Sequence, residues 1–507
     1  LPEIAGQDGA AVAVTDDTGS LSWDDLELHT QAVACALEAA GVAPLGHVSL
    51  IASNRVEFIT SVLGAQRGGF TVTPLKTSWT AEEIGAVLDD AASAVVITDT
   101  DAGRAASRER GLLLVDLDAG FAAWRDAHAG QRVEPGRIGY RVPYTSGTTG
   151  RPKGVRRRAD AATPFEAWAQ ASAYGASAVG LPRHGTHLMV SPLFHGAPLA
   201  FGLGALLAGA PMRILGRWDP ARALALLGGD TTASIMVPTM FRQLLALPVE
   251  DRAAFDPSGL VTIFHGGEAC PPDVKQRMID WWGPVLVEYY GFTEGGMTFA
   301  SSAEWQQRPG TVGRPFGPQR VSIVGPEGAV LPAGEVGTIY IARPEGRDAF
   351  EYTNDPAKTA AAFRPDGAFT VGDLGYLDDD GYLFVTGRSA ELIVTGGVNV
   401  YPAEIEAVVL AVDGVADACA AGMPDEARGE VAAVAVVVAP GYDAAAVVAA
   451  VQNACATRLA GYKRPRVVEV KAAVPRDATG KLQRNRYRQE LGATAGLKRP
   501  SDAAGGR

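Results

Sequence analysis

Strand-length apolar runs alternate with helical stretches along most of this chain, and that alternation restricts the fold more than any other feature. His47-Val-Ser-Leu-Ile-Ala52, Ala94-Val-Val-Ile-Thr98, Ala233-Ser-Ile-Met-Val237 and Leu260-Val-Thr-Ile-Phe264 are apolar almost throughout, as strands covered on both faces are. Between such runs, Leu26–Ala40 and Glu57–Gly68 carry apolar residues at helical spacing. Strands alternating with helices predict α/β architecture with largely parallel sheets. A chain of 507 residues exceeds one ordinary core, so two or more domains are expected.

Several runs end on polar, glycine-rich turns, where ligands bind in open α/β sheets. Leu260–Phe264 runs into His265-Gly-Gly-Glu268, and Val285-Leu-Val-Glu-Tyr-Tyr290 runs into Gly291-Phe-Thr-Glu294. Arg141-Val-Pro-Tyr144 leads into Thr145-Ser-Gly-Thr-Thr-Gly-Arg-Pro-Lys-Gly-Val155. That loop sets Gly147, Gly150 and Gly154 among the hydroxyls of Thr145, Ser146, Thr148 and Thr149, and carries Lys153. Glycines bring backbone close to a ligand. Hydroxyls and free N–H groups bind phosphate oxygens, and a lysine neutralises their charge. The G-x-x-x-x-G-K-[ST] loop is absent: the one Gly-Lys pair, Gly480-Lys481, precedes Leu482. A flexible linker would need neither the strand-like lead-in nor the Pro-Lys-Gly ending.

The string Tyr144–Val155 resembles the signature of the adenylate-forming superfamily, which includes acyl-CoA synthetases, luciferases and peptide-synthetase adenylation domains. Four further segments match that family in order: His265–Glu268, Glu288-Tyr-Tyr-Gly-Phe-Thr-Glu294, Phe369-Thr-Val-Gly-Asp373 with Thr386-Gly-Arg388, and Pro475-Arg-Asp-Ala-Thr-Gly-Lys481-Leu. The resemblance implies that Ser146, Gly147, Thr148, Thr149, Gly150 and Lys153 hold the phosphates of ATP. Gly266, Gly267 and Glu268 would line adenine beside the acyl pocket. Tyr290 would stack on adenine with Tyr289 and Gly291 beside it, and Thr293 would contact the α-phosphate. Thr145 and Glu294 would hold Mg²⁺, which takes one or two carboxylates plus phosphate oxygens. Asp373 would accept hydrogen bonds from the ribose hydroxyls, and Arg388 would contact ribose or phosphate at a hinge. Lys481 would bridge the substrate carboxylate and the α-phosphate. His195, in Ser191-Pro-Leu-Phe-His-Gly196, matches a pocket histidine beside the acyl carboxylate.

Val394-Thr-Gly-Gly-Val-Asn-Val-Tyr-Pro-Ala-Glu-Ile-Glu406 resembles members that use coenzyme A, with Gly396 and Gly397 against the pantetheine arm. Two positions depart from the family pattern. Val371 stands where Thr is usual, and Ala390 where the hinge carries Asp or Lys. The basic run Lys153, Arg156, Arg157, Arg158 fits either phosphate attraction or a solvated patch.

Composition narrows the alternatives. A formal net charge of −12 argues against nucleic-acid binding and against broad adhesion to anionic membranes. No apolar run reaches the roughly 20 residues that span a bilayer, and no signal peptide is visible. Val431–Ala439 is strand-sized. Four widely separated cysteines fit reduced thiols in a cytoplasmic protein. His184 and His187 have no acidic or Cys partner nearby and are expected at the surface, without a metal.

The expected organisation is a large N-terminal adenylation domain over 1–387, a hinge at 388–391, a small mobile α+β domain over 392–495 and a disordered tail over 496–507. Gly313 to Phe384, rich in short strands and Gly/Pro turns, is expected to form a small β subdomain. The resulting expectation is an ATP- and Mg²⁺-dependent ligase joining a small-molecule carboxylic acid to coenzyme A. Few bulky groups near Gly291, Gly295 and Gly296 suggest a medium, long or polycyclic acyl chain. Two alternatives stay open: transfer of the acyl group to a carrier protein or amine, and a silent nucleotide-binding protein. Monomer and homodimer are equally compatible with the sequence.

Overall fold

The computed structural model describes residues 1–134, 136–145, 152–157, 163–344, 350–477 and 482–497. Two lobes meet at Arg388. The large lobe is built on a nine-stranded sheet running Arg314–Pro315, Met297–Ser301, Leu286–Gly291, Thr262–Gly266, Thr231–Met236, Thr186–Met189, Met212–Ile214, Val12–Thr15, Ser20–Ser22. Its inner strands, from Leu286–Gly291 to Val12–Thr15, are parallel, and antiparallel strands close both ends. A second sheet, Thr71–Pro74, His47–Ile51, Ser93–Thr98, Leu113–Asp116, is parallel throughout.

The predicted strands are present with ends shifted by a residue or two, and helices Trp23–Ala39 and Val56–Arg67 are present with ends shifted by one to three. Helix starts follow local chemistry. Ser22 with Asp25, Thr80 with Glu83 and Ser301 with Glu304 form reciprocal capping boxes.

The expected β subdomain is an antiparallel sheet of Arg320–Val324, Gly337–Ala342, Asp373–Leu377 and Leu383–Arg388. The last strand ends at Arg388. A single 3-10 turn, Ser389–Glu391, then carries the chain into Ile393–Thr395 of the small lobe. There Val398–Val400, Ile393–Thr395, Gly429–Val438 and Val415–Asp425 pair antiparallel, and Val467–Val470 adds in parallel on Gly429–Val438. Helices Pro402–Leu410, Ala444–Arg458 and Arg484–Leu497 complete the lobe. The last of these runs beyond the expected boundary at 495, and residues 498–507 lie outside the described residues.

Among the described residues, each apolar cluster belongs to one lobe. The small lobe's clusters centre on Ile393, Ile405, Val434 and Val451 and on Cys419, Val474 and Tyr487, with no large-lobe member. No helix among the described residues is long and apolar enough to cross a membrane.

His187 is a correction. It is fully buried rather than superficial, because Thr186–Met189 is an inner strand covered on both faces. Neither ring nitrogen has a hydrogen-bond partner among the described residues, and burial lowers its pKa to about 4. His184 is exposed, as expected.

Candidate active site

The neighbouring parallel strands Thr262–Gly266 and Leu286–Gly291 carry the two predicted turns at their carboxyl ends. Pleating sends adjacent side chains to opposite faces. Tyr289 turns its ring into the core, 5.4 Å from that of Phe201, while Tyr290 faces the β subdomain. Gly266 must be glycine, since a Cβ there would lie 2.3 Å from the Tyr289 carbonyl oxygen. Gly267 turns the chain at a φ of +83°.

Tyr290 donates its phenol to Asp373 Oδ2 at 2.7 Å. Burial, then the Asp373 charge, pushes that phenol well above its ordinary pKa, so it stays a donor. Asp373 opens its strand directly opposite Arg388. The second carboxylate oxygen, Oδ1, lies 2.9 Å from Arg388 Nε. It is buried, yet accepts no hydrogen bond among the described residues. A carboxylate oxygen beside a guanidinium keeps lone-pair capacity for a ligand hydroxyl.

Glu294, nearly buried, accepts from the Tyr352 phenol at 2.7 Å through Oε1. Lys358 Nζ stands 4.4 Å over the Tyr352 ring, and its pKa is lowered by burial and then by the charge of Lys153. The strand Lys153–Arg157 pairs with Phe350–Tyr352 and is tied to its surroundings. Lys153 Nζ is 2.5 Å from Asp355, Arg156 pairs with Glu351, and Arg157 Nε donates to the Thr293 carbonyl at 3.0 Å. These three cations are therefore engaged by protein groups, not loose in solvent. Arg158 lies outside the described residues, as do Ser146, Gly147, Thr148, Thr149, Gly150 and Lys481, and the side chain of Thr145. Among the described residues no three His, Cys, Asp or Glu side chains gather into a metal cage.

Glu268 points toward the seam between the lobes. Its Oε1 accepts from the Thr239 N–H and hydroxyl at 2.7 and 2.6 Å, and its Oε2 from Arg476 of the small lobe at 2.8 Å. Beneath the turns, fully buried Lys275 donates to Glu288 Oε2 at 2.7 Å and stands 4.8 Å over the Trp305 ring. His265 Nε2 is 4.0 Å from that carboxylate, and burial followed by the Lys275 charge keeps the imidazole neutral.

His195 immediately precedes helix Gly196–Leu207, its ring 4.6 Å from that of Phe194. Phe201 on that helix packs on Phe264 at 4.6 Å, and both contact Phe299. Gly396 and Gly397, at φ +57° and +81°, form the turn between Ile393–Thr395 and Val398–Val400 on the small lobe's surface. The structure thus brings Tyr290, Thr293, Glu294, Asp373 and Arg388 together, with Glu268 at the seam. Gly396 and Gly397 stand apart.

Tyr352, Asp355, Lys358, Thr239 and Arg476 had not been singled out. Two left a local trace: Asn354-Asp-Pro356 is a helix start, with Asp355 capping Pro356–Ala362, and Arg476 lies within the Pro475–Leu482 motif.

The sequence profile described as AMP-binding enzyme matches residues 1–346, and that of the AMP-binding enzyme C-terminal domain matches residues 404–481. The chain belongs to the AMP-binding, adenylate-forming enzymes. Among curated members of this superfamily, a long-chain-fatty-acid–CoA ligase of Mycobacterium tuberculosis is 31% identical over 485 residues, 92% of this chain and 93% of that one. A feruloyl-CoA synthase of Amycolatopsis sp is 31% identical over 494 residues, 95% and 96% of the two chains. Among adenylate-forming structures, ATP-bound MatB from Rhodopseudomonas palustris superposes with a TM-score of 0.83 at 26% identity, covering 96% of this chain and 98% of that one. The α/β large lobe followed by a smaller C-terminal lobe is the fold of the superfamily, and its relatives support use of ATP, CoA and a carboxylic acid.

Proposed function

We propose that this enzyme is an AMP-forming acid–CoA ligase acting on a medium-chain, long-chain or otherwise bulky hydrophobic carboxylate. The observation that carries the reading is the buried Asp373 Oδ1, ion-paired with Arg388 but accepting no hydrogen bond among the described residues, beside Tyr290. A ribose hydroxyl would satisfy it, with adenine against the Tyr290 ring.

The reaction has two halves. A substrate carboxylate oxygen attacks the α-phosphorus of ATP, the bond to the bridging oxygen breaks, and pyrophosphate leaves. Asp373 and Tyr290 orient the nucleoside, and the Thr145–Gly150 segment with Lys153 would hold the phosphates. Lys481, five residues after Arg476 in the sequence, would offset charge at the reacting phosphoryl group. Glu294 suits Mg²⁺ carried on ATP phosphates: one carboxylate, with Oε1 already held by Tyr352, fits an ion that keeps most of its ligands from phosphate and water. When bound, that ion would neutralise phosphate charge. In the second half the CoA thiolate attacks the acyl carbonyl and AMP leaves. For this step the small lobe would turn about 388–391 and bring Gly396 and Gly397 toward the acyl-adenylate, a conformational gate between steps.

Pyrophosphate release and acyl-CoA formation, measured over a panel of fatty, aryl and steroid acids, test the proposal. Lys481→Ala should abolish pyrophosphate release and spare thioester formation from supplied acyl-adenylate. Acyl-AMP accumulating with CoA present would redirect the reading to a carrier-protein or amine acceptor. No nucleotide-dependent pyrophosphate release from any acid would leave a silent nucleotide binder.

A further inference from the structure

The small lobe is held on the large lobe by charged side chains that flank the Lys481 segment. Arg476 and Leu482 bridge across that segment, and Gln483 N–H donates to the Pro475 carbonyl at 2.8 Å, fixing its base. Arg476 Nε and Nη2 form a fork on Asp417 of the small lobe, both at 2.7 Å. Its Nη1 reaches Glu268 of the large lobe. Asp417 also lies 3.6 Å from Arg242, which donates to the Thr239 hydroxyl at 3.0 Å, and that hydroxyl donates to Glu268. Thr239, Glu268, Arg476, Asp417 and Arg242 therefore close a ring of alternating charge across the seam. One residue on, Asp477 Oδ2 accepts from Lys76 of the large lobe at 3.1 Å.

We propose that Arg476 and Asp477 are positioning residues: a two-point ionic clamp that seats the Lys481 segment for adenylation and must open before the thioester step. The inference rests on the two-step reading above. The Asp417 fork fixes the Arg476 head within its own lobe, so the guanidinium is oriented before the lobes meet. Rotation breaks the Glu268, Arg242 and Lys76 contacts and leaves every separated charge at a surface that water can reach. Side chains at this seam are 9–20% exposed, too covered to be idle surface pairs and too wet to lock the lobes permanently.

The test uses the full chain and four variants: Arg476→Met, Lys76→Asp, Asp477→Lys and the swap Lys76→Asp/Asp477→Lys. Pyrophosphate release, thioester formation from supplied acyl-adenylate, and lobe arrangement by X-ray scattering with ATP are read for each. Arg476→Met should slow pyrophosphate release by about 10- to 100-fold, keep the thioester step within about threefold, and shift scattering toward open lobes. Each Lys76 or Asp477 single variant should do the same more weakly, and the swap should restore most of the loss. Equal loss of both halves, unchanged adenylation and scattering in Arg476→Met, or a swap no better than its parents would overturn the clamp. If the unsubstituted chain releases no pyrophosphate while the variants still open the lobes, the ligase reading fails and the clamp stands.

Discussion

Replacing Lys275 with Met removes the cation beneath the His265–Glu268 and Gly291–Glu294 turns and strands Glu288 without its partner. Both side chains are almost wholly buried, so the carboxylate cannot turn to water. Breaking a buried pair by deleting one partner costs roughly 3–5 kcal/mol. Glu288 can escape part of this by taking up a proton, since burial already raises its pKa against the pull of Lys275. A carboxyl whose folded-state pKa lies above its unfolded value adds stability at low pH and loses it as pH rises. The Lys275→Met defect should thus be small near pH 5 and deepen by about 1.4 kcal/mol per pH unit until Glu288 ionises. Adding Glu288→Gln should recover most of the loss at pH 8, because it removes the uncompensated charge. Urea unfolding followed by Trp282 and Trp305 fluorescence at pH 5, 6.5 and 8 measures both effects. A loss below about 1 kcal/mol that does not vary with pH, or a double variant no more stable than Lys275→Met, would refute the argument.

Other outcomes follow from single contacts. His187, at a pKa of about 4 in the folded state against 6.5 unfolded, binds fewer protons folded, so its contribution is complete above pH 6.5 and is lost as pH falls toward 4. By pH 5 this amounts to about 2 kcal/mol. His187→Leu should remove that share of acid sensitivity, and unfolding at pH 7.5 and 5 would expose the error if both proteins lost equal stability. Asp373→Asn should weaken ATP binding by about 10- to 100-fold, the worth of a charged hydrogen bond, measured at a temperature where the variant, weakened by loss of its Arg388 ion pair, is still folded. A calorimetric Kd within threefold of the unsubstituted value would remove Asp373 from the ribose site.

The strands ending on His265–Glu268 and Gly291–Glu294 were legible because apolar run and glycine turn sit side by side in sequence. The same locality hid other features. Tyr352 reaches Glu294 from 58 positions away, and Arg476 reaches Glu268 from 208. Neither distance leaves a pattern in one sequence. His187 was misjudged for a related reason: spacing to His184 says nothing about which strand is enclosed on both faces. The Glu268 carboxylate engages Thr239 and Arg476, a pairing set by docking of the small lobe that the motif alone does not show. In the turn between the lobes, Ala390 offers no side-chain charge, but its carbonyl accepts from Arg488 Nη1 at 3.3 Å, and Arg484 links Glu391 to Glu406. The last helix thus supplies the charged contacts that Ala390 itself lacks.

Because neither lobe lends apolar side chains to the other's core among the described residues, selection can act on them almost as separate inheritances. A donor lobe grafted after Arg388 would need to match, among the described residues, a handful of charges at the junction rather than an apolar surface.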